Sequence, residues 1–111
     1  MSRPAVTAPP GHLSTRAKGY WRAMSKTYEL ADPPAQELLR RCCEAMDRAD
    51  QAREEVDRDG ATFKTRYGEI RPHPAVAIER DARTAIARLL RELRVLDSPE
   101  DPRPGRLGRS S

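Results

Sequence analysis

Large apolar side chains are what this chain has least of. Leu, Ile, Val and Phe together supply 17 of its 111 residues, below the share of roughly 20% under which a strongly charged chain stays disordered. The net charge is only +4, however, from 21 basic and 17 acidic residues, and 15 alanines extend the apolar set. The expected product is therefore a thin, Ala-rich helical domain with disordered ends. Alone, such a domain buries only about 60 to 65% of its unfolded surface, which makes it a candidate for an oligomer that completes its core between subunits.

Other scarcities remove whole classes. The two cysteines, Cys42 and Cys43, are adjacent; a bridge between them would be a strained ring that staples nothing, and neither has zinc-site spacing. They read as small helix residues, one of them facing the core. His12 and His73 are the only histidines. No apolar run approaches the roughly 20 residues of a membrane span, and MSRPAVTAPPGHL lacks the apolar middle of a signal peptide. The expectation is a soluble, intracellular protein that does not engage a membrane. There is no glycine-rich phosphate loop, no paired-histidine motif and no GxSxG, and the acids mostly alternate with bases along helix faces. Neither enzymatic activity, nor a cofactor, nor a metal is expected.

What is present is helix punctuation. Residues 1–13 hold three of the ten prolines and no periodic pattern, which predicts an unstructured arm. Ser14 can cap a helix over about 15–28, where Ala17, Tyr20, Trp21, Met24 and Tyr28 recur at spacings of three and four. Asp32-Pro33 repeats the start signal, a capping acceptor followed by proline at the first helical position. Gly60 supplies the stop, so the second helix ends near Asp59. Its seam runs through Leu38, Leu39, Cys42, Ala45, Met46, Ala49, Ala52 and Val56, and its small residues let a partner helix come close. From Ala61 to Pro72 the period changes, with Gly68 as a turn candidate, giving either a short hairpin or an ordered loop. His73-Pro74 opens a third helix, ending near Asp97, with a seam of Ala75, Ile78, Ala82, Ala85, Ile86, Leu89, Leu93 and Leu96 at packed-helix spacing. His73, held extended between two prolines, reads as a cap or turn residue more readily than as a proton carrier. The fold expected is all-α: two long antiparallel helices and a shorter N-terminal helix in a domain over 14–97, followed by a flexible basic tail over 98–111.

Charge is sorted along the chain. The first helix has four bases and no acid, the second region has ten acids against five bases from Glu29 to Gly60, and the loop is net +2. A face built from the first helix and the loop would place Arg16, Lys18, Arg22, Lys26, Lys64, Arg66 and Arg71 near tyrosine and phenylalanine, a chemistry suited to phosphates and nucleic-acid surfaces. The competing reading is an ordinary solvated surface. The apolar residues Leu38, Leu39, Met46, Val56, Ile78, Ile86, Leu89, Leu93 and Leu96 are the candidates for core and oligomer contacts.

The order of these features resembles the small terminase subunits of tailed bacteriophages and prophages. The residues that carry it are the YWRAM helix, the acid-started helix with L-L and C-E-A, its D-G stop, the G-x-x-x-x-H-P turn and the E-R-x-A-R helix leading to L-L-x-x-L, over roughly residues 13–97. In that pattern Trp21 matches the first-helix aromatic, Gly68, His73 and Pro74 the turn, and Ala82, Leu89, Leu90 and Leu93 the apolar face. The resemblance implies a non-catalytic component of genome packaging. Its partners would be double-stranded viral DNA, the large terminase subunit with its ATPase and nuclease, and further copies of itself in a ring, in the cytoplasm of the bacterial host. Some small terminase subunits carry a separate helix-turn-helix module, for which this chain has no room. DNA contact would then rest on many backbone contacts or on flexible tails. A protein-only helical adaptor and a small dimeric transcription regulator are the rival readings.

Overall fold

The computed structural model describes residues 8–97, with side chains as far as Arg94. Residues 1–7 of the arm expected over 1–13, the side chain of Leu96 and the tail over 98–111 lie outside the described residues. The architecture is three helices and a two-stranded antiparallel hairpin: α1 (Thr15–Tyr28), α2 (Pro33–Asp59), β1 (Thr62–Lys64), β2 (Ile70–Pro72) and α3 (Pro74–Asp97).

Each boundary has a local cause. The Ser14 hydroxyl accepts from the Ala17 N–H at 3.1 Å, and the Asp32 carboxylate accepts from the Ala35 N–H at 3.2 Å, so α1 and α2 begin at capped ends. Gly60, at φ +91°, closes α2 in a conformation that L side chains resist. α1 ends on Glu29, a left-handed residue at φ 51°. At the start of α3, the cap is His73, whose Nδ1 accepts the Ala75 N–H at 3.0 Å. Its Nε2 lies 3.1 Å from Asp59 Oδ2, so one ring ties the end of α2 to the start of α3.

The segment left open between hairpin and loop is a hairpin. Thr62, Phe63 and Lys64 pair with Pro72, Arg71 and Ile70, and the His73 N–H donates to the Ala61 carbonyl at 2.8 Å, carrying the ladder to its base. A three-residue loop, Arg66–Tyr67–Gly68, joins the strands. The Gly68 N–H donates to the Thr65 carbonyl, and Gly68 takes φ +85°, as a type I turn with a following left-handed residue requires. Thr65 Oγ1 accepts from the Tyr67 and Glu69 N–H groups, both at 3.2 Å.

α2 and α3 pack antiparallel along their length, and α1 covers the first part of α2. The seam is small where expected: Ala45, Ala49, Ala52, Ala75 and Ala82 are all buried, allowing close helix approach. A larger cluster joins Leu13, Ala17, Trp21, Leu30, Leu39, Cys43 and Leu93, while Ala52, Val56 and Ala75, with half-buried Val76, hold the other end.

Several sequence expectations change here. Leu13, expected in the arm, is buried at 5% exposure, because its side chain covers α2 beside Ala17. Cys42 and Cys43 are both fully buried, since α2 is covered by two helices rather than one. Burial pushes their thiols up, to about 11 and about 12, so neither offers a thiolate at neutral pH. Among the seam candidates Leu39, Val56, Leu89 and Leu93 are buried, whereas Leu38, Met46 and Ile86 are half-buried and Ile78 is 43% exposed. Ile78 therefore lies outside the subunit core. The α1 stripe also fades along its length, from buried Trp21 to Tyr28 at 39% exposure.

Candidate nucleic-acid interface

Four cations sit on α1, and the fold divides them. Arg16 points back to α2 and meets Asp50 at 3.2 Å. Lys18, Arg22 and Lys26 follow one another at intervals of four, which places them on one ridge away from buried Ala17 and Trp21; Arg22 and Lys26 are exposed and Lys18 is half-buried. No ion pair to these three is formed within the described residues.

The acids that make α2 negative are largely occupied. His12 Nε2 lies 2.7 Å from Glu44, the Ser14 N–H and hydroxyl donate to the two oxygens of Asp47 at 2.8 and 2.5 Å, and Asp50 takes Arg16. Glu44, Asp47 and Asp50, spaced by three, thus form a ladder that seats the start of α1. Elsewhere Glu37 binds Arg40 and Arg41, Asp57 binds Arg53, and Asp59 binds Arg58 and His73. Hydrogen bonds from these bases hold the Glu37, Asp57 and Asp59 carboxyls below their ordinary range. Pairing consumes much of the acidic charge and leaves the α1 ridge without an acid partner among the described residues.

The loop cations occupy a separate place. Lys64, Arg66 and Arg71 stand on the hairpin, which closes the far end of α2 and α3. The α1 clamp stops at Asp50, ten residues or about 15 Å along the helix from Gly60. The single face expected from the first helix and the loop is therefore two basic sites on different parts of the molecule. Arg66 lies over the Tyr67 ring, 5.2 Å from its centre, and Arg71 pairs with Glu69 at 3.1 Å.

A third basic surface was hidden by net charge. α3 is nearly neutral as a sum, yet Arg80, Arg83, Arg88, Arg91 and Arg94 are all exposed while Glu79 is buried at 8% exposure; of the exposed acids Asp81 and Glu92, Asp81 pairs with Arg80 at 3.4 Å. Glu79 lies 3.6 Å from Arg53 of α2. Its Oε2 meets Arg83 at 2.5 Å as an ion pair, without hydrogen-bond geometry. The sequence signal for this surface is helical spacing rather than summed charge, since Arg80, Arg83, Arg91 and Arg94 share a flank of α3.

These features define a small helical chain whose exposed chemistry is cationic and aromatic; among the described residues no group of three His, Cys, Asp or Glu side chains is placed to hold a metal ion. No described helix is long and apolar enough to cross a membrane. The family model described as phage terminase, small subunit, matches residues 17–95, from inside α1 almost to the end of α3, and the chain belongs to that family. Membership gives it a role in phage DNA packaging. No curated protein and no solved structure matches the chain.

Proposed function

We propose that this chain is the non-catalytic recognition component of a phage packaging machine. It binds double-stranded viral DNA, recruits and regulates the large terminase subunit, and works as a homo-oligomeric ring in the host cytoplasm. The observation that supports this reading, within a family devoted to packaging, is the bare ridge of Lys18, Arg22 and Lys26 beside acids that the molecule has already paired. Cations without partners among the described residues can exchange counterions for phosphates, and a ring repeats them, so the salt-dependent part of affinity multiplies. Of the seam candidates, half-buried Leu38, Met46 and Ile86 and exposed Ile78 are the ones left for contacts between copies.

The test is fluorescence anisotropy on a labelled duplex across a salt series. Affinity should fall steeply as salt rises, and Lys18→Glu/Arg22→Glu/Lys26→Glu should weaken binding by at least about 10-fold with unchanged helix content. Wild-type binding that ignores salt would remove the phosphate-contact reading. Native mass spectrometry reads the assembly, and a stable monomer at micromolar concentration would sink the ring.

A further inference from the structure

The hairpin is exposed on both faces along both strands. A two-stranded ribbon of this kind is marginal by itself in water, yet this one is mounted firmly at its root. His73 joins the backbone ladder through Ala61, caps α3 and reaches Asp59. What the ribbon displays is unusual for a solvent face: Phe63 is 46%, Ile70 70% and Tyr67 78% exposed. Apolar exposure this concentrated marks a binding surface.

The distribution of side chains indicates what kind. In the observed register Phe63 stands opposite Arg71, and Lys64 opposite Ile70. Alternation then puts Phe63 and Arg71 on one face and Lys64 and Ile70 on the other. Each face thus carries one cation and one apolar side chain. A ribbon built to lie on a protein surface would gather its apolar residues on a single face. A ribbon with a cation on both sides suits a slot whose two walls are negative, and the major groove of a DNA duplex is such a slot, wide enough for a two-stranded ribbon. The tip carries Arg66 laid on the Tyr67 ring, a pair able to meet base edges. The single acid of the segment, Glu69, pairs with Arg71 in a contact where both side chains are 60% exposed, a solvent-screened pair that a phosphate can replace at little cost.

We propose that the hairpin is a DNA-entering ribbon, with Lys64 and Arg71 meeting the phosphates of opposite groove walls and Arg66-Tyr67 reaching the bases. This rests on the packaging reading above and assigns part of its DNA contact to an element distinct from the α1 ridge.

The experiment uses the full chain and a mixed-sequence duplex of about 40 base pairs, with affinity measured against salt. Lys64→Ala/Arg71→Ala should lower affinity and reduce the salt slope by about two. Tyr67→Ala, at the 78%-exposed tip, should lower affinity about 5- to 10-fold while leaving the slope unchanged. Circular dichroism and native mass are read on every variant. Variants that bind like a salt-sensitive wild type would overturn the ribbon and leave the packaging reading standing. A wild type with no DNA affinity would overturn both. Variants that lose oligomer mass but keep their DNA affinity would show that a second copy of the chain, not DNA, covers the hairpin, and would overturn the ribbon too.

Discussion

Ser25 sits in α1 fully buried, and its hydroxyl has no hydrogen-bond partner among the described residues. A hydroxyl taken out of water without compensation costs about 1–3 kcal/mol, and serine is also a weaker helix former than alanine. Ser25→Ala should therefore stabilise the protein by about 1 kcal/mol, seen as a higher urea midpoint with an unchanged slope; a lower midpoint would mean that the hydroxyl is satisfied. Glu79 shows the opposite case, a buried carboxylate held between Arg53 and Arg83. Neither environment is legible in sequence, because spacing gives the face of a helix on which a residue lies but not how far the neighbouring helix covers it. Cys43 and Ile78 illustrate the same limit: one is buried by α1 and the other is left 43% exposed.

Among the elements, α1 is the most separable. Its start is held by the carboxylates of Glu44, Asp47 and Asp50, and Trp21 anchors its middle. Asp47→Ala removes both bonds to Ser14, so α1 should open more readily than the rest. In hydrogen exchange the amides of α1 should lose protection by about 1–2 kcal/mol while those of α2 and α3 hold theirs; a uniform loss would mean that the three helices open as one unit. Four of the six helix boundaries were readable because each rests on a local chemical signal: Ser14, Asp32 with Pro33, Gly60, and His73 with Pro74. The hairpin was readable only as one of two options. Strands of three residues are too short to show a period, and the ladder depends on His73 reaching Ala61. Leu13 was missed because a lone apolar residue among prolines has no periodicity to declare it.

For the whole molecule, charge pairing sets the response to acid. Glu37, Asp57 and Asp59 are held below the ordinary carboxylate range by hydrogen bonds from Arg40 and Arg41, from Arg53, and from Arg58 and His73. A carboxylate lowered in the folded state adds stability above its unfolded value and loses it as pH falls through the folded one. Melting temperature should hold from neutral pH to about pH 5 and then drop below about pH 4, with a smaller drop in high salt, since these pairs are solvent-screened. Glu37→Gln should flatten that acid limb; an unchanged limb would place the acid-sensitive charge elsewhere. The basic character was visible in the sequence, but its division among the α1 ridge, the hairpin and the α3 flank was not. That division depends on where α1 stops along α2 and on Glu79 being buried while its neighbouring arginines are not.

The α1 clamp on α2 ends at Asp50, and past it α2 and α3 continue as a pair joined mainly through Ala52, Val56, Ala75 and Val76. Mechanically this is an overhang with the hairpin at its free end. Small side chains make few dispersion contacts, so this stretch is held more lightly than the part of α2 that α1 covers. Because His73 binds Ala61, Asp59 and Ala75 together, flexing of the overhang carries the hairpin as a unit, and its aim can change without breaking a bond at its root.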